Sequence, residues 1–491
     1  MLTAVQEPSF LASRRGKLTL GLLCGVAFLD FVDASITNIA LPSIRRSLHF
    51  SVEGLQWIPS GYLLTYGGFM LLGGRLADLI GRRRVLASGI VVIGLSSLVG
   101  GFAQSAGVLV GARLAQGLGA ALTLPAALSI LTTMFREGKD RNVALGAWGG
   151  IAGLASAAGV LLGGLLTEGP GWRWVMFVNP IACALLLPSV FRLVEGERGR
   201  RRLANFDAVG AVLVTAGMLL LVYALVRAPI IGWGTTRTAG ELAGAAALLV
   251  AFVFNELRQR VPLAPLSIFR INGLGFSNVT QLVAFAGALA MFFFLTLYMQ
   301  NVLGYSPIQT GLASLPFCVA MAASAGISSQ LLSRVGTRPV IVAGAIVTAG
   351  GLYWLSRIPV DGSYVADVLP GMLVVAFGGG GAFVGVATAA NAGVPADKAG
   401  LAAALLTASQ ELGGALGLAI FTAVSTSRTN HLLSAGTSSS HALTSGFQRA
   451  LLLGSTFLLA AAVTGLRATN TRGLAEPVAI DAEPDTSLAA S

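Results

Sequence analysis

Apolar runs of about 20 residues recur along almost the whole chain, divided by short polar breaks. A run of that length crosses the hydrocarbon core of a bilayer as a helix. The pattern predicts roughly fourteen such helices. Six lie near residues 18–41, 55–73, 85–103, 107–134, 143–166 and 174–193. A pair follows at 208–226 and 239–257, and six more at 276–302, 308–332, 339–356, 365–390, 401–424 and 447–466. The predicted organisation is an N-terminus at 1–17, a six-helix half at 18–193, a loop, two helices and linker at 194–270, a second six-helix half at 271–466, and a polar tail at 467–491 that reads as disordered. Ser13-Arg14-Arg15 ahead of an apolar run has the look of an export signal. That run, however, continues to about Pro42, carries acids, and is followed by many more.

The charge sits in the breaks. With the N-terminus in the cytoplasm, 23 of the 32 Lys and Arg residues fall in inside segments and eight outside, while Arg113 lies within a span. That bias favours both termini inside and an even number of spans. Charged residues make up only 11% of the 491 residues, against roughly 25% in a soluble domain. The mean hydropathy is +0.78. The net charge of +11 is thus a topology signal rather than a nucleic-acid footprint. Abundant glycine, 63 residues, suits close helix packing in lipid. Cys24, Cys183 and Cys318 lie in apolar runs without metal-ligand spacing and read as packing residues.

The break Gly73-Gly74-Arg75-Leu76-Ala77-Asp78-Leu79-Ile80-Gly81-Arg82-Arg83-Arg84 reads as a short basic loop between the second and third helices. Asp78 would sit before a helix N-terminus, near Arg82 or Arg83, and Gly74 would let a neighbouring helix approach at backbone distance. The loop resembles the signature G-x-L-a-D-x-x-G-R-[RK] of the major facilitator superfamily. Gly81-Arg82-Arg83-Arg84-Val85-Leu86 also aligns with Gly336-Thr337-Arg338-Pro339-Val340-Ile341 at constant offset, with Ser333 in the place of Asp78. Such a repeat is expected of two related halves. The central pair of helices then resembles the insertion of the fourteen-helix drug/proton antiporters. The resemblance implies a gating loop of Gly74, Asp78, Gly81, Arg82 and Arg83 that closes the cytoplasmic side.

Asp30 and Asp33 lie three residues apart in the first helix, on one face, and would titrate as a coupled pair. Acids at membrane depth face a partner or a wet cavity. Asp33-Ala34-Ser35-Ile36-Thr37-Asn38-Ile39-Ala40-Leu41-Pro42 resembles the family's first-helix signature, D-x-T-I-V-N-V-A-L-P. The two acids are candidates for proton or cation binding, or for structural pairing with Arg113 or a backbone amide. Arg113-Leu114-Ala115-Gln116-Gly117-Leu118-Gly119 resembles the superfamily's R-x-x-Q-G-x-G. A buried arginine demands an acceptor, here the helix 1 acids, helix 1 carbonyls or Gln116. Gly146, Gly159, Gly163 and Gly164 resemble the antiporter motif of the fifth helix, with Ala155 and Val160 in place of a glycine and a proline. They imply tight packing against the other half. Trp172-Arg173-Trp174 and Asn179 resemble the family's W-R-W-x-F-x-x-N, and the tryptophans also suit an interface. Glu411 stands where the family has Gln. It is either a second proton or cation site or a solvated end residue. Asp207 and Glu241 read as helix-dipole partners. Asn38, Trp57, Tyr62, Gln116 and Gln281 are candidates for lining a cavity, as are Asn278, Tyr298, Gln300 and Phe292–Phe294.

No Walker loop is present, so ATP is not a direct driver. The sequence calls for no cofactor and no metal. His49, His431 and His441 are scattered, and the last two offer at most a weak site. The expected fold is an all-α polytopic membrane protein of the major facilitator type, in a bacterial inner membrane. The function implied is proton-coupled efflux of small amphipathic drugs or toxic compounds by alternating access, not enzymatic catalysis. Protonation of the helix 1 acids would release substrate outward. Its partners would be the substrate, protons and the lipid bilayer, with no nucleic acid. A monomer is the expected working unit, with room for a periplasmic adaptor. An importer or symporter of a metabolite, or a receptor on the same fold, are the alternatives.

Overall fold

The computed structural model describes residues 10–135, 139–196, 207–232, 234–259, 268–269, 271, 273–392, 394 and 399–472. The loop expected after residue 194 and the tail expected from 467 lie largely outside these. No strand occurs among the described residues. The long helices are α1 (Arg14–Leu48), α2 (Trp57–Ile80), α3 (Arg82–Gly101), α4 (Ala106–Met134), α5 (Lys139–Glu168), α6 (Arg173–Leu193), α7 (Ala208–Ile231), α8 (Thr236–Arg258), α9 (Leu274–Asn301), α10 (Pro307–Val335), α11 (Thr337–Leu355), α12 (Leu369–Asn391), α13 (Ala399–Ser434) and α14 (Ser439–Gly465). A π-helical turn, Tyr364–Val368, leads into α12. Among the described residues, twelve stretches are long and apolar enough to cross a membrane. α2 is of spanning length and lies between two of them, and α5 contributes the shorter apolar stretch Leu154–Glu168.

Several helices outrun the expected spans, because hydropathy marks the lipid-facing length while polar caps carry the helix further. Ser13 caps α1 four residues ahead of the apolar run, its hydroxyl accepting from Gly16 N at 2.9 Å. At the other end, α1 continues through Pro42 to a left-handed cap at His49. The largest correction concerns the basic break. It is not a loop. α2 runs unbroken to Ile80 and turns into α3 at the single residue Gly81, with φ 101°. Only glycine adopts that backbone readily. Gly336 makes the same one-residue turn between α10 and α11, with φ 87°. Arg82 and Arg83 therefore open α3. Asp78 belongs to the last turn of α2 rather than standing ahead of a helix, and its side chain lies outside those described. A second correction concerns the close approach. A Cβ on Gly74 would meet Pro125 Cβ at an ordinary 3.6 Å, whereas one on Gly73 would overlap the Ala121 carbonyl of α4.

The packing repeats with the turn. In the first set, α1 packs on α5, α2 and α3 on α4, and α3 on α6. In the second, α9 packs on α13, α10 and α11 on α12, and α11 on α14. The two most extensive contacts between the sets, α5 with α10 and α2 with α13, exchange under the same correspondence. The ends of the molecule differ. Around the α1–α2 turn, one buried cluster draws on both sets: Ile36, Ile39 and Ile58 pack with Phe294, Tyr298 and Phe317. At the Gly81 end the described clusters each stay within one set, as with Leu22, Val85 and Phe135 in the first, and Ile341, Val386 and Ala389 in the second. The α7–α8 pair lies over the α2–α13 contact. Leu64, Val222, Leu225, Ala415 and Ala419 form one cluster there, and Thr215 donates to the Gly68 carbonyl at 3.1 Å.

Candidate functional site

Arg113 is 1% exposed and Asp33 4%, and their side chains form an ion pair of 2.5 Å between α4 and α1. The spacing of the Arg113 motif explains how they meet. Gly117 lies one turn beyond Arg113, and a Cβ there would overlap the Tyr62 carbonyl of α2. Its absence lets α4 and α2 touch, and the Thr65 hydroxyl donates to the Leu114 carbonyl at 2.7 Å across the same contact. Gly119 serves the opposite flank, where a Cβ would come 2.9 Å from Ile93 N of α3. Arg113 is thus held, buried, between two helices. Its acceptors are Asp33, Gln116 Oε1 at 2.9 Å, and the Ile58 carbonyl at 3.2 Å. Of the acceptors expected, the helix 1 carbonyls are replaced by one from α2.

The Asp33 carboxylate has further donors. Asn179 Nδ2 of α6 donates to Oδ1, and Gln116 Nε2 donates to it at 3.4 Å. Both amides also donate to the Ser97 hydroxyl of α3, that from Asn179 at 3.0 Å. Side chains of α4 and α6 therefore converge on the carboxylate of α1, and Ser97 of α3 completes the network through their amides. Burying a charge pair is tolerable only with such completion of its hydrogen bonds. Sequence reasoning named Asn179 only as part of a motif and missed Ser97 altogether. The signal for Asn179 was its buried polar type in an apolar helix. Ser97 carried none, since serine is common in membrane helices.

Asp30 stands apart from this network. It is half-buried and accepts from the Tyr62 hydroxyl. The Arg113 guanidinium lies over the Tyr62 ring, 4.5 Å from its centroid. Tyr66 packs on Tyr62 with centroids 5.6 Å apart. Across the contact between the two sets, Glu411 of α13 is buried, not solvated at a helix end. A Cβ on Gly67 of α2 would approach Glu411 Cβ to 3.2 Å. Asp30 and Glu411 are close enough to interact electrostatically. Gln410 Nε2 donates to Glu411 Oε1 at 3.5 Å and accepts, through Oε1, from Gln281 of α9 at 2.9 Å.

The other candidates take up packing positions. Trp57 meets Tyr223 of α7, with ring centroids 6.0 Å apart. Asn38 is half-buried beside the α1–α5 contact, and its Oδ1 has no hydrogen-bond partner. Asn278 accepts from Ser409 at 3.0 Å, and the Tyr298 hydroxyl donates to the Pro359 carbonyl at 2.6 Å. Gln300 Nε2 donates to the Ile39 carbonyl at 3.1 Å, joining the two sets. Asp207 caps α7 through Gly210 N at 2.8 Å and also accepts from Asn255 of α8 and from Gln259, which caps its C-terminus. Glu241 pairs with Arg237 one turn away at 3.0 Å.

The fifth-helix glycines are the second feature of the site. A Cβ on Gly159 would come 2.7 Å from Ser35 Cβ, and one on Gly163 3.0 Å from the Ile36 carbonyl, both on α1. A Cβ on Gly164 would come 2.8 Å from Ile308 Cα of α10. The contact is mutual, since a Cβ on Gly311 would come 2.8 Å from the Val160 carbonyl. Beyond them, Glu168 accepts from the Ser306 hydroxyl at 2.6 Å and from Ile308 N at 3.1 Å. The α5 glycines therefore close the α1–α2 turn end with backbone contacts.

Residues 23–418 match the family model described as Major Facilitator Superfamily. The chain is 40% identical to the cephamycin export protein CmcT of Amycolatopsis lactamdurans, over 84% of this chain and 85% of that one. It is 38% identical to the puromycin resistance protein pur8 of Streptomyces alboniger, over 84% and 82%. Among solved structures, an autoinhibited peptide transporter of the POT family aligns with a TM-score of 0.69 at 16% identity, covering 94% of this chain and 99% of that one. An inward-facing bacterial homologue of the human lysosomal transporter Spinster aligns with a TM-score of 0.64 at 16% identity, covering 93% and 97%.

Proposed function

The chain belongs to the major facilitator superfamily, and from that premise we propose that it exports small amphipathic drugs or toxic compounds in exchange for protons, by alternating access. It is a multi-pass membrane transporter and not an enzyme. Relatives named for cephamycin export and puromycin resistance support the efflux direction and an antibiotic-like substrate class. The observation that carries proton coupling is the pairing of two acids of unlike surroundings on one helix face. Asp33 is locked into the ion pair with Arg113. Asp30, one turn away, has a tyrosine hydroxyl for a partner and lies near Glu411 of the other set. In this reading Asp30 takes and gives the proton while Asp33 and Arg113 stay paired with each other, with Glu411 the second acid of the pathway. Both termini are cytoplasmic, which makes the α1–α2 turn end external. The clusters shared at that end and separate at the Gly81 end support a state closed to the outside. The gating role of Gly81, Arg82 and Arg83 is then to pin the α2–α3 corner as the halves rock. The protein works as a monomer in the bacterial inner membrane.

The test is efflux of a fluorescent lipophilic cation from energised cells. Wild type should lower its accumulation, an uncoupler should abolish the effect, and Asp30→Asn should match the uncoupled level at equal expression. Uncoupler-resistant efflux would sink proton coupling. Accumulation raised above that of cells lacking the protein would favour the importer.

A further inference from the structure

Tyr62 touches both acid systems at once. Its hydroxyl donates to Asp30, while its ring face carries the Arg113 guanidinium, 4.5 Å away, whose other side is bound to Asp33. Three features fix the tyrosine in that double role. Its carbonyl is held against Gly117 of α4, where no side chain could intervene. Tyr66 packs on its ring. It is buried, 4% exposed. A guanidinium over an aromatic face is attracted by the ring quadrupole, more strongly when desolvated, and the attraction depends on where the ring lies.

We propose that Tyr62 is a positioning residue that relays the state of Asp30 to the Arg113–Asp33 pair. The inference rests on the reading of Asp30 as the exchanging acid. When Asp30 is a carboxylate, it holds the phenol as acceptor and the ring lies under Arg113. When Asp30 gains a proton, it becomes a donor itself, and the phenol loses the charged acceptor that oriented it. The ring shifts, and Arg113 redistributes among Asp33, Gln116 and the Ile58 carbonyl. Those partners belong to α1, α4 and α2, so one proton on α1 alters how three helices are tied together. The charged and titratable groups around Asp30 are Asp33 on its own helix, Tyr62 and Tyr66 of α2, Arg113 of α4 and Glu411 of α13. Among them, Tyr62 alone makes a contact with both Asp30 and Arg113.

The experiment is solid-state NMR of the full-length protein in lipid, with arginine side chains labelled with nitrogen-15 and aspartate carboxyls with carbon-13. The Arg113 resonance is identified by its loss in Arg113→Lys, and that of Asp30 by its loss in Asp30→Asn. In wild type, the Arg113 resonance should shift with pH at the same midpoint as the Asp30 carboxyl. In Tyr62→Phe, which keeps the ring, the Asp30 carboxyl should still titrate while the Arg113 shift is lost. Asp30→Asn with Tyr62 intact should likewise leave Arg113 insensitive to pH, which tests the relay even if Tyr62→Phe fails to fold. An Arg113 shift that persists in either variant, or that is absent in wild type while Asp30 titrates, overturns the relay. An Asp30 carboxyl that does not titrate in wild type overturns instead the reading on which the relay stands.

Discussion

Asp33→Asn should cost the folded protein about 3 kcal/mol, even though the substitution is isosteric. Breaking a buried ion pair by removing one partner costs roughly 3–5 kcal/mol, because the other charge is left uncompensated. Arg113 is 1% exposed and keeps two neutral acceptors, Gln116 Oε1 and the Ile58 carbonyl, so the lower end of that range applies. At about 1.4 kcal/mol per decade, the unfolded population rises roughly a hundredfold. Arg113→Gln should cost a similar amount, since Asp33 then retains only amide donors. The double variant Asp33→Asn/Arg113→Gln buries no charge and should cost less than either single variant. The expected coupling is therefore more than about 3 kcal/mol in magnitude, against roughly 0.5 kcal/mol for residues that do not interact. The assay is a double-mutant cycle on reversible unfolding in mixed micelles, followed by circular dichroism. Additive costs in the double variant would refute the account of Arg113 and Asp33 as one electrostatic unit.

Gly117→Ala should destabilise by about 1–3 kcal/mol, as overpacking at a tight contact does, because its methyl group would overlap the Tyr62 carbonyl; thermal unfolding in nanodiscs reads the loss, and an unchanged midpoint would remove Gly117 as the α2–α4 contact. Glu168→Ala deletes the acceptor for Ser306 Oγ and Ile308 N, and should increase labelling of a cysteine at Gln309 by a membrane-impermeant reagent; labelling equal to that of the parent would show that these bonds do not hold the two sets together. Asp207→Ala removes the α7 cap and the acceptor for Asn255 and Gln259, and should cost about 1–2 kcal/mol. Faster proteolysis after residue 196, with export retained, is the expected signature, and lost export at normal expression would show that the hairpin does more than pack.

Much of this architecture was legible because lipid imposes a strict code. Spans must be long and apolar, so their order and approximate number followed from hydropathy, and the repeat at Gly81 and Gly336 survived as two matching turns. Arg113 and Asp33 announced each other, since neither charge could be buried alone. What the sequence hid were polar contacts between residues of unremarkable type. Ser97 looked like any membrane serine, yet two amides converge on its hydroxyl. Tyr62 looked like a cavity aromatic, and its role came from lying between two specific side chains. Gly74 was expected to meet a neighbouring helix, but its neighbour Gly73 makes that contact, because the face that α2 turns to α4 is set by packing rather than by the motif. The end of α2 was misplaced because Arg75 and Asp78 read as a loop, while the helix carries them to Gly81.

The central claim is that a proton taken up at Asp30, and not at Asp33, drives substrate out. The most direct measurement is substrate-induced proton release in inverted membrane vesicles, with wild type, Asp30→Asn and Asp30→Glu, over a panel of lipophilic cations and neutral drugs. The account predicts that some compounds dissipate the pH gradient in wild type, that the response vanishes in Asp30→Asn, and that Asp30→Glu retains part of it. Proton release of wild-type size in Asp30→Asn would contradict it, and would place the exchanging acid elsewhere in the molecule.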